Sequence, residues 1–350
     1  MGEGKNLIGV DIGSSSIKVC QIRESRKSYT LVGFGYAPLP PQAIVDGQVM
    51  DGNTVADTLQ QIWQASRIRQ KEVSLGVSGQ SAIIRKITVP MMTSAELEEQ
   101  IQWEAEQHIP FDIKDVHVDY QVLKRNTETS QMELLLVAAK RDQINDYAQL
   151  ARDARLKPIV CDIDAFSIQN LFELSRGLPQ DQTVALINIG ANLTSLNIVS
   201  NGISAFTREI ANGGHAISEQ VQKQLGVPFE LAEAFKCGTA DVPTPPQVAQ
   251  IVESATDGIA AEIQRSLDFF MATSGDGEIA RIYLTGGSSK IPSLPVAIER
   301  RARVPVEVWA PIERLTIDQK RVNTALLGTH APQLAVALGL ALRKEKEMRA

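Results

Sequence analysis

An α/β fold of two similar domains, each a mixed sheet flanked by helices, is what this sequence predicts, and three glycine-bearing turns carry the prediction. The first, Ile8-Gly9-Val10-Asp11-Ile12-Gly13-Ser14-Ser15-Ser16-Ile17-Lys18, and the second, Leu186-Ile187-Asn188-Ile189-Gly190-Ala191-Asn192-Leu193-Thr194-Ser195, share one design. A short apolar strand delivers an acidic or amide residue, then an apolar residue, a glycine and hydroxyl side chains, before a second apolar strand begins. Each reads as a hairpin tip whose glycine, Gly13 or Gly190, adopts a φ that other residues resist, so that successive amides converge on an anion. The third, Ile282-Tyr283-Leu284-Thr285-Gly286-Gly287-Ser288-Ser289-Lys290-Ile291-Pro292, is a strand entering a Gly-Gly-Ser turn and then a helix opened by proline, where backbone approaches a flat ring or a ribose closely. Any one of these is equally an ordinary turn, since Gly, Asp and Ser dominate turns for conformational reasons. Two phosphate turns and one nucleoside turn, in that order, make a nucleotide site between two domains.

Taken along the chain, strands are expected at Leu7–Val19, Ser28–Leu39 and Glu72–Val77 around a helix at Thr54–Ser66. The stretch 83–157 departs from that rhythm and reads as an inserted small α/β unit. It starts with a strand at Arg85–Val89. Thr93 and Glu96 form a capping box before a helix that places Leu97, Ile101, Ala105 and His108 on one face, and Pro110 closes it. Val116–Arg125 and Glu133–Ala139 read as a hairpin across Asn126–Ser130, and Arg141–Ala154 as a helix. The second half opens with strands Val184–Ile189, Ser195–Ser200 and Ile203–Glu209. Gly213-Gly214 then starts a helix-rich lobe, with helices at Phe229–Phe235 and around Gln250–Ala272 across the proline-rich Val242–Pro246. The expected division is 1–82 with 158–182, the insert 83–157, 183–212 with 278–350, and the lobe 213–277. Leu334–Leu342 is either a core helix or an amphipathic membrane-surface helix. Its alanine content and the mixed charges that follow it favour the core, with basic residues complementing a helix C-terminus.

At 350 residues the chain exceeds a single core, which agrees with two domains. A formal net charge of −6, with Lys and Arg scattered, argues against a nucleic-acid partner. Cys20, Cys161 and Cys237 lack a metal spacing and sit in or beside apolar stretches, so they are expected to be buried free thiols in a reducing compartment. No apolar run reaches the ~20 residues of a bilayer span and no signal peptide is evident, which predicts a cytoplasmic protein.

The ordered trio of turns resembles the actin, Hsp70 and sugar-kinase superfamily, which implies an actin-like (ribonuclease H-like) fold. Pro90-Met91-Met92-Thr93-Ser94-Ala95-Glu96-Leu97, Trp103-Glu104-Ala105-Glu106-Gln107-His108-Ile109-Pro110-Phe111 and Asp162-Ile163-Asp164-Ala165-Phe166 resemble, more closely, the PilM family of type IV pilus assembly proteins, relatives of the cell-division protein FtsA. The likeness covers nearly the whole chain. It implies ATP and Mg2+ as ligands. Phosphate contacts fall to Gly13, Ser14, Ser15, Ser16, Lys18, Gly190, Ala191, Asn192 and Thr194. Adenosine contacts fall to Gly213, Gly214, Glu233, Lys236, Gly286, Gly287 and Ser288. Asp11 and Asn188 hold the metal through its water, and Asp164, ahead of Asp162, is the candidate water-activating catalytic residue. Each has a plainer alternative: Lys18 as an exposed strand lysine, Glu233 and Lys236 as a solvated helical pair, and either Asp as a helix cap. Asn188 departs from the family's aspartate and brings no charge to the metal, which tilts the site toward binding with at most slow ATPase activity.

The same resemblance implies a cytoplasmic scaffold of the pilus inner-membrane platform. Its partners would be the N-terminal cytoplasmic peptide of PilN, in the groove beside the insert, and other platform proteins. Self-association is possible, and membrane contact is only indirect. The competing readings are a metabolite kinase of the superfamily and an FtsA-like polymerising protein.

Overall fold

An antiparallel meander starts the first sheet, because alternating apolar residues of three consecutive segments all face one core. In the computed structural model, which describes residues 3–26, 28–45, 47–78, 82–274 and 277–346, β1 (Glu3–Asn6) leads into β2 (Ile8–Ile12), β3 (Ser16–Ser25) and β4 (Ser28–Pro38). A small hairpin of β5 (Ile44–Val45) and β6 (Gln48–Val49) follows, then α1 (Gly52–Ser66) and β7 (Glu72–Val77), which pairs parallel to β2. Asp51 caps α1 by accepting the Thr54 amide at 3.0 Å, and the helix lays Val55, Leu59, Ile62 and Trp63 on the sheet.

The insert is β8 (Ala82–Pro90), α2 (Ser94–His108), β9 (Val116–Asn126) and β10 (Gln131–Lys140), its strands ordered β8-β10-β9 and antiparallel. The expected capping box is formed: the Glu96 carboxylate accepts the Thr93 amide at 2.8 Å and the Thr93 hydroxyl accepts the Glu96 amide at 3.3 Å. Leu97, Ile101 and Ala105 then pack with Met132, Leu134 and Leu136 in a core of the insert's own. The next helix, α3 (Arg141–Asp153), counted with the insert from sequence, instead delivers Tyr147, Leu150 and Ala151 to the core of the first sheet. β11 (Lys157–Ile163) pairs parallel to β7, and α4 (Asp164–Arg176) follows.

The second half repeats the plan. β12 (Thr183–Ile189), β13 (Thr194–Ser200) and β14 (Ile203–Ile210) form a meander. The helices α5 (Gly214–Leu225), α6 (Phe229–Cys237) and α7 (Gln247–Thr273) come next, and then β15 (Ile279–Thr285), α8 (Ser293–Ala302) and β16 (Val306–Val308). Its strand order, β14-β13-β12-β15-β16, matches β4-β3-β2-β7-β11 of the first sheet strand for strand, with the last two strands parallel to the first in each. β17 (Thr316–Ile317) crosses back to extend the first sheet beside β4.

After α9 (Thr324–His330), α10 (Ala335–Leu340) enters between the two sheets, and β18 (Lys344–Lys346) pairs antiparallel with β1. Residues 335–341 are all buried, so Leu334–Leu342 is a core segment and not a membrane-surface helix. α10 and α4 share one core with Cys20, Ile22 and Leu31 of the first sheet and Val184, Leu186 and Val199 of the second. That layer is dense enough to require glycine. A Cβ on Gly9 would meet the Ala337 carbonyl oxygen at 1.9 Å, and one on Gly339 the Ser167 carbonyl oxygen at 1.9 Å. No described helix is long and apolar enough to cross a membrane. All three cysteines are free, but only Cys20 is buried, and Cys161 and Cys237 are exposed, because each lies where its strand or helix meets solvent. Gly339→Ala is expected to destabilise the protein by about 1–3 kcal/mol through overpacking, read as a lower urea midpoint at unchanged m.

Candidate nucleotide-binding cleft

Both predicted phosphate turns are hairpin tips of the same construction. In the first, Ile12 pairs with Ile17 and the Gly13 amide donates to the Ser16 carbonyl at 3.1 Å. In the second, Ile189 pairs with Thr194 and the Gly190 amide donates to the Leu193 carbonyl at 2.9 Å. Neither glycine has a positive φ, which corrects the expected reason for them. A side chain at either would crowd its neighbours: a Cβ on Gly13 would lie 2.9 Å from Lys18 Nζ, the movable end of a side chain, and one on Gly190 would lie 3.0 Å from the Leu193 carbonyl oxygen.

Register explains the charges beside the tips. Asp11 and Lys18 stand directly opposite each other across β2 and β3, and their ion pair closes at 3.1 Å in a buried setting. Lys18 is therefore not an exposed strand lysine. The corresponding pair in the second hairpin is Asn188 with Ser195, which is neutral. Ser195 in turn faces Glu209 across β13 and β14.

The nucleoside turn and the helix-rich lobe meet at the second tip. Gly286 has φ 93°, and a Cβ there would lie 2.6 Å from Asn188 Oδ1 and 2.5 Å from the Ile189 carbonyl oxygen, so here a left-handed glycine is required. The Gly214 and His215 amides donate to the carbonyls of Gly190 and Ala191 at 3.0 and 2.8 Å, and the Ser288 hydroxyl donates to the Gly190 carbonyl at 2.9 Å. Room for these contacts comes from Gly213 and Gly214: a Cβ on Gly213 would lie 2.6 Å from the Ala191 carbonyl oxygen, and one on Gly214 would lie 2.3 Å from Ser288 Oγ. Lys236, with a side chain 6% exposed, reaches the Gly214 carbonyl at 3.0 Å and Glu233 at 2.6 Å, while Ser218 donates to the same Glu233 carboxylate. Glu233 and Lys236 are thus tied to the start of α5 and are not a solvated pair. Three of the expected contact residues have partners within the protein. The Thr194 hydroxyl donates to the Asn212 carbonyl at 2.8 Å, Ser16 is buried in β3, and Gly287 faces Gln333. Ser14, Ser15 and Asn192 are half-exposed on the tips.

The two candidate aspartates separate. Asp162 accepts the Ile163 amide at 2.8 Å and the Ser167 hydroxyl at 3.3 Å, with Arg343 at 3.5 Å, so it fastens the first turn of α4 to the C-terminal segment. The N-cap of α4 is Ile163, with no side-chain cap, so neither aspartate caps this helix in the expected way. Asp164 instead lies over Gly76, where a Cβ would come within 2.2 Å of its Oδ1, and that oxygen is buried without a hydrogen-bond partner. Burial, reinforced by the negative charge of Asp11 and Glu209, holds its carboxyl well above the usual carboxylate range. Glu209 was missed in the sequence. Burial pushes its pKa up to about 7 against a hydrogen bond from Ser195, and its Oε2 has no partner. The only sequence signal was a glutamate near the end of a strand, just before Gly213-Gly214. Buried carboxylate oxygens left without donors fit a hydrated cation, although among the described residues no three His, Cys, Asp or Glu side chains form a ready-made metal cage.

Two sheets of one topology, with paired hairpin tips facing a glycine-rich nucleoside turn, define an actin-like protein. The model of the type IV pilus assembly protein PilM matches residues 9–345, and the chain belongs to that family. It is similar to a PilM-PilN type IV pilus biogenesis complex, with TM-score 0.86 and 27% identity over 99% of this chain and 100% of that one. It also resembles the cell division protein FtsA of Bacillus subtilis, 23% identical over 84% of this chain and 76% of FtsA. The fold extends to MreB5 of Spiroplasma citri bound to ADP, with TM-score 0.52 and 12% identity over 96% of this chain and 94% of that one.

Because the folded-state pKa of Glu209 is raised, its contribution to stability is complete below the ordinary glutamate pKa of 4.5 and is lost as pH rises through about 7. Glu209→Gln is expected to be more stable than wild type at pH 8 by about 1–3 kcal/mol and to flatten the fall in stability between pH 5 and 7, measured by urea unfolding across pH.

Proposed function

We propose that this chain is a cytoplasmic scaffold of the type IV pilus inner-membrane platform that binds ATP between its two domains and changes its partner contacts with nucleotide state. The observation that carries this reading is the asymmetry of the two otherwise matched hairpin tips, charged at Asp11–Lys18 and neutral at Asn188–Ser195. The first tip and the Gly190–Gly214–Ser288 junction offer amides and a cation to phosphates, and charge-assisted hydrogen bonds of about 1.5–3 kcal/mol each suffice to hold a nucleotide. Asp11, Asn188 and the unpaired oxygens of Asp164 and Glu209 would orient the water shell of Mg2+, which when bound supplies charge neutralisation to the phosphates. Asp164, whose carboxyl is held well above the usual carboxylate range by burial and by the charges of Asp11 and Glu209, would be the residue to accept a proton from an attacking water. With an amide where a second metal-orienting carboxylate would stand, turnover is slow, and ATP acts as a ligand that favours one arrangement of the domains.

The tail of PilN is the partner this reading supplies, by analogy with the related complex. A groove of about 220 Å3 lined by Ile83, Ile84, Ile163 and Ala165 lies where β8 of the insert, β11 and β14 meet, so a segment held there would feel the relative position of both domains. Of the expected units 83–157 and 213–277, the part of the insert from β8 to β10 and the helical lobe would move against the two sheets, while α3 stays with the first.

Calorimetry with Mg-ATP is expected to show binding by wild type, lost in Asp11→Ala, with little phosphate released. Asn188→Asp should raise phosphate release severalfold. Brisk turnover by wild type would instead indicate a kinase or a motor. A fluorescent PilN N-terminal peptide should bind saturably and change affinity when ATP is added, and no binding in either state would refute the scaffold assignment.

A further inference from the structure

At the end of the first sheet opposite the cleft, a cavity of about 490 Å3 opens between the last turn of α1, the turn after α3 and the start of β7. Its lining carries four cations, Arg67, Arg69, Lys71 and Arg155, and no carboxylate. The ion pair formed nearby, Lys157 with Glu72 at 3.5 Å, uses none of them, and Asp153 at the end of α3 is engaged by Gln149 at 2.7 Å. The Lys71 ammonium lies 5.6 Å from the centre of the Trp63 ring, and that indole is only 4% exposed. Arg67 and Arg155 also occupy left-handed backbone, with φ of 57° and 62°, at helix ends where glycine or asparagine sits without strain. Basic residues that complement helix C-termini would account for Arg67 and Arg155, but not for Arg69 and Lys71 beyond the helix.

We propose that this cavity binds a phosphate-bearing ligand, with the guanidinium and ammonium groups of its lining pairing to its oxygens. Donors without a competing acceptor suit an anion with several oxygens and more than one charge, and arginine forks match phosphate geometry. The volume lies within the range of small-molecule sites. β7 runs from Glu72 beside the cavity to Val77 beside the cleft, and strands rise about 3.3 Å per residue, so the two sites are about 20 Å apart. The phosphate group can come from a membrane headgroup or from a soluble ester.

Full-length protein would be titrated with pyrophosphate by calorimetry. It would also be co-sedimented with vesicles of phosphatidylglycerol in phosphatidylcholine, against phosphatidylcholine alone. The variant is the double change Arg67→Asn with Arg155→Asn, which asparagine's tolerance of left-handed backbone keeps foldable. The expected result is saturable binding by wild type, weakened about tenfold or more in the double variant. Vesicle binding that requires phosphatidylglycerol assigns a lipid headgroup, and pyrophosphate binding without it assigns a soluble ester. Absence of both, or binding of equal strength in wild type and double variant, overturns the proposal.

Discussion

The packing of α10 between β2 and α4 is the contact on which the two-domain arrangement rests. Backbone touches backbone there, through Gly9 against Ala337 and Gly339 against Ser167, at distances that leave no room for a Cβ. Close approach of this kind gives up side-chain burial at two positions. In return, Leu338 and Leu340 are seated in a core that draws on both sheets, together with Phe172 and Trp309 stacked edge to face at 5.3 Å. Asp162 and Arg343 tie the ends of the same layer, and β18 returns to pair with β1. The junction between the two halves is therefore a packed layer rather than a linker.

Electrostatics in the cleft set its two halves apart. Asp11 has Lys18 as a counter-ion, but Asp164 and Glu209 approach from different domains with buried, unpaired oxygens. Their raised proton affinities are the response of buried carboxylates, each with one oxygen left without a donor, and outweigh the single hydrogen bonds from Ser78 and Ser195. In the proposed reading, a cation with phosphates attached would relieve that strain by bridging residues of both halves, and the neutral Asn188 would limit how strongly it is held.

Duplication gives the molecule two ends with different chemistry. The C-terminal ends of β7 and β11 open on the acidic cleft, and their N-terminal ends open on the basic cavity around Trp63. Strands of six and seven residues separate the two, so charges of opposite sign are kept about 20 Å apart, well beyond the screening length at physiological salt.

Local order was legible in the sequence wherever a short-range rule decided it. The alternation of Ile8–Lys18 and Leu186–Ser195, the Thr93–Glu96 capping box and the Asn126–Ser130 hairpin tip are each fixed by neighbours within a few residues, and all formed as read. Gly286 was read from the sequence as a close-approach turn, and its positive φ emerged only in the structure. What tertiary structure alone decided were contacts between segments far apart in the chain. Sequence could not show that α3 belongs to the first core, that Thr194 and Ser288 spend their hydroxyls bracing neighbouring loops, or that Glu209 lies close enough to Asp164 to raise its pKa. It also gave the wrong reason for Gly13 and Gly190, because the room they leave is taken by atoms whose position only the folded hairpin defines. Periodicity and turn chemistry act through the local backbone, whereas burial, proton affinity and steric room depend on what the rest of the chain brings to the same place.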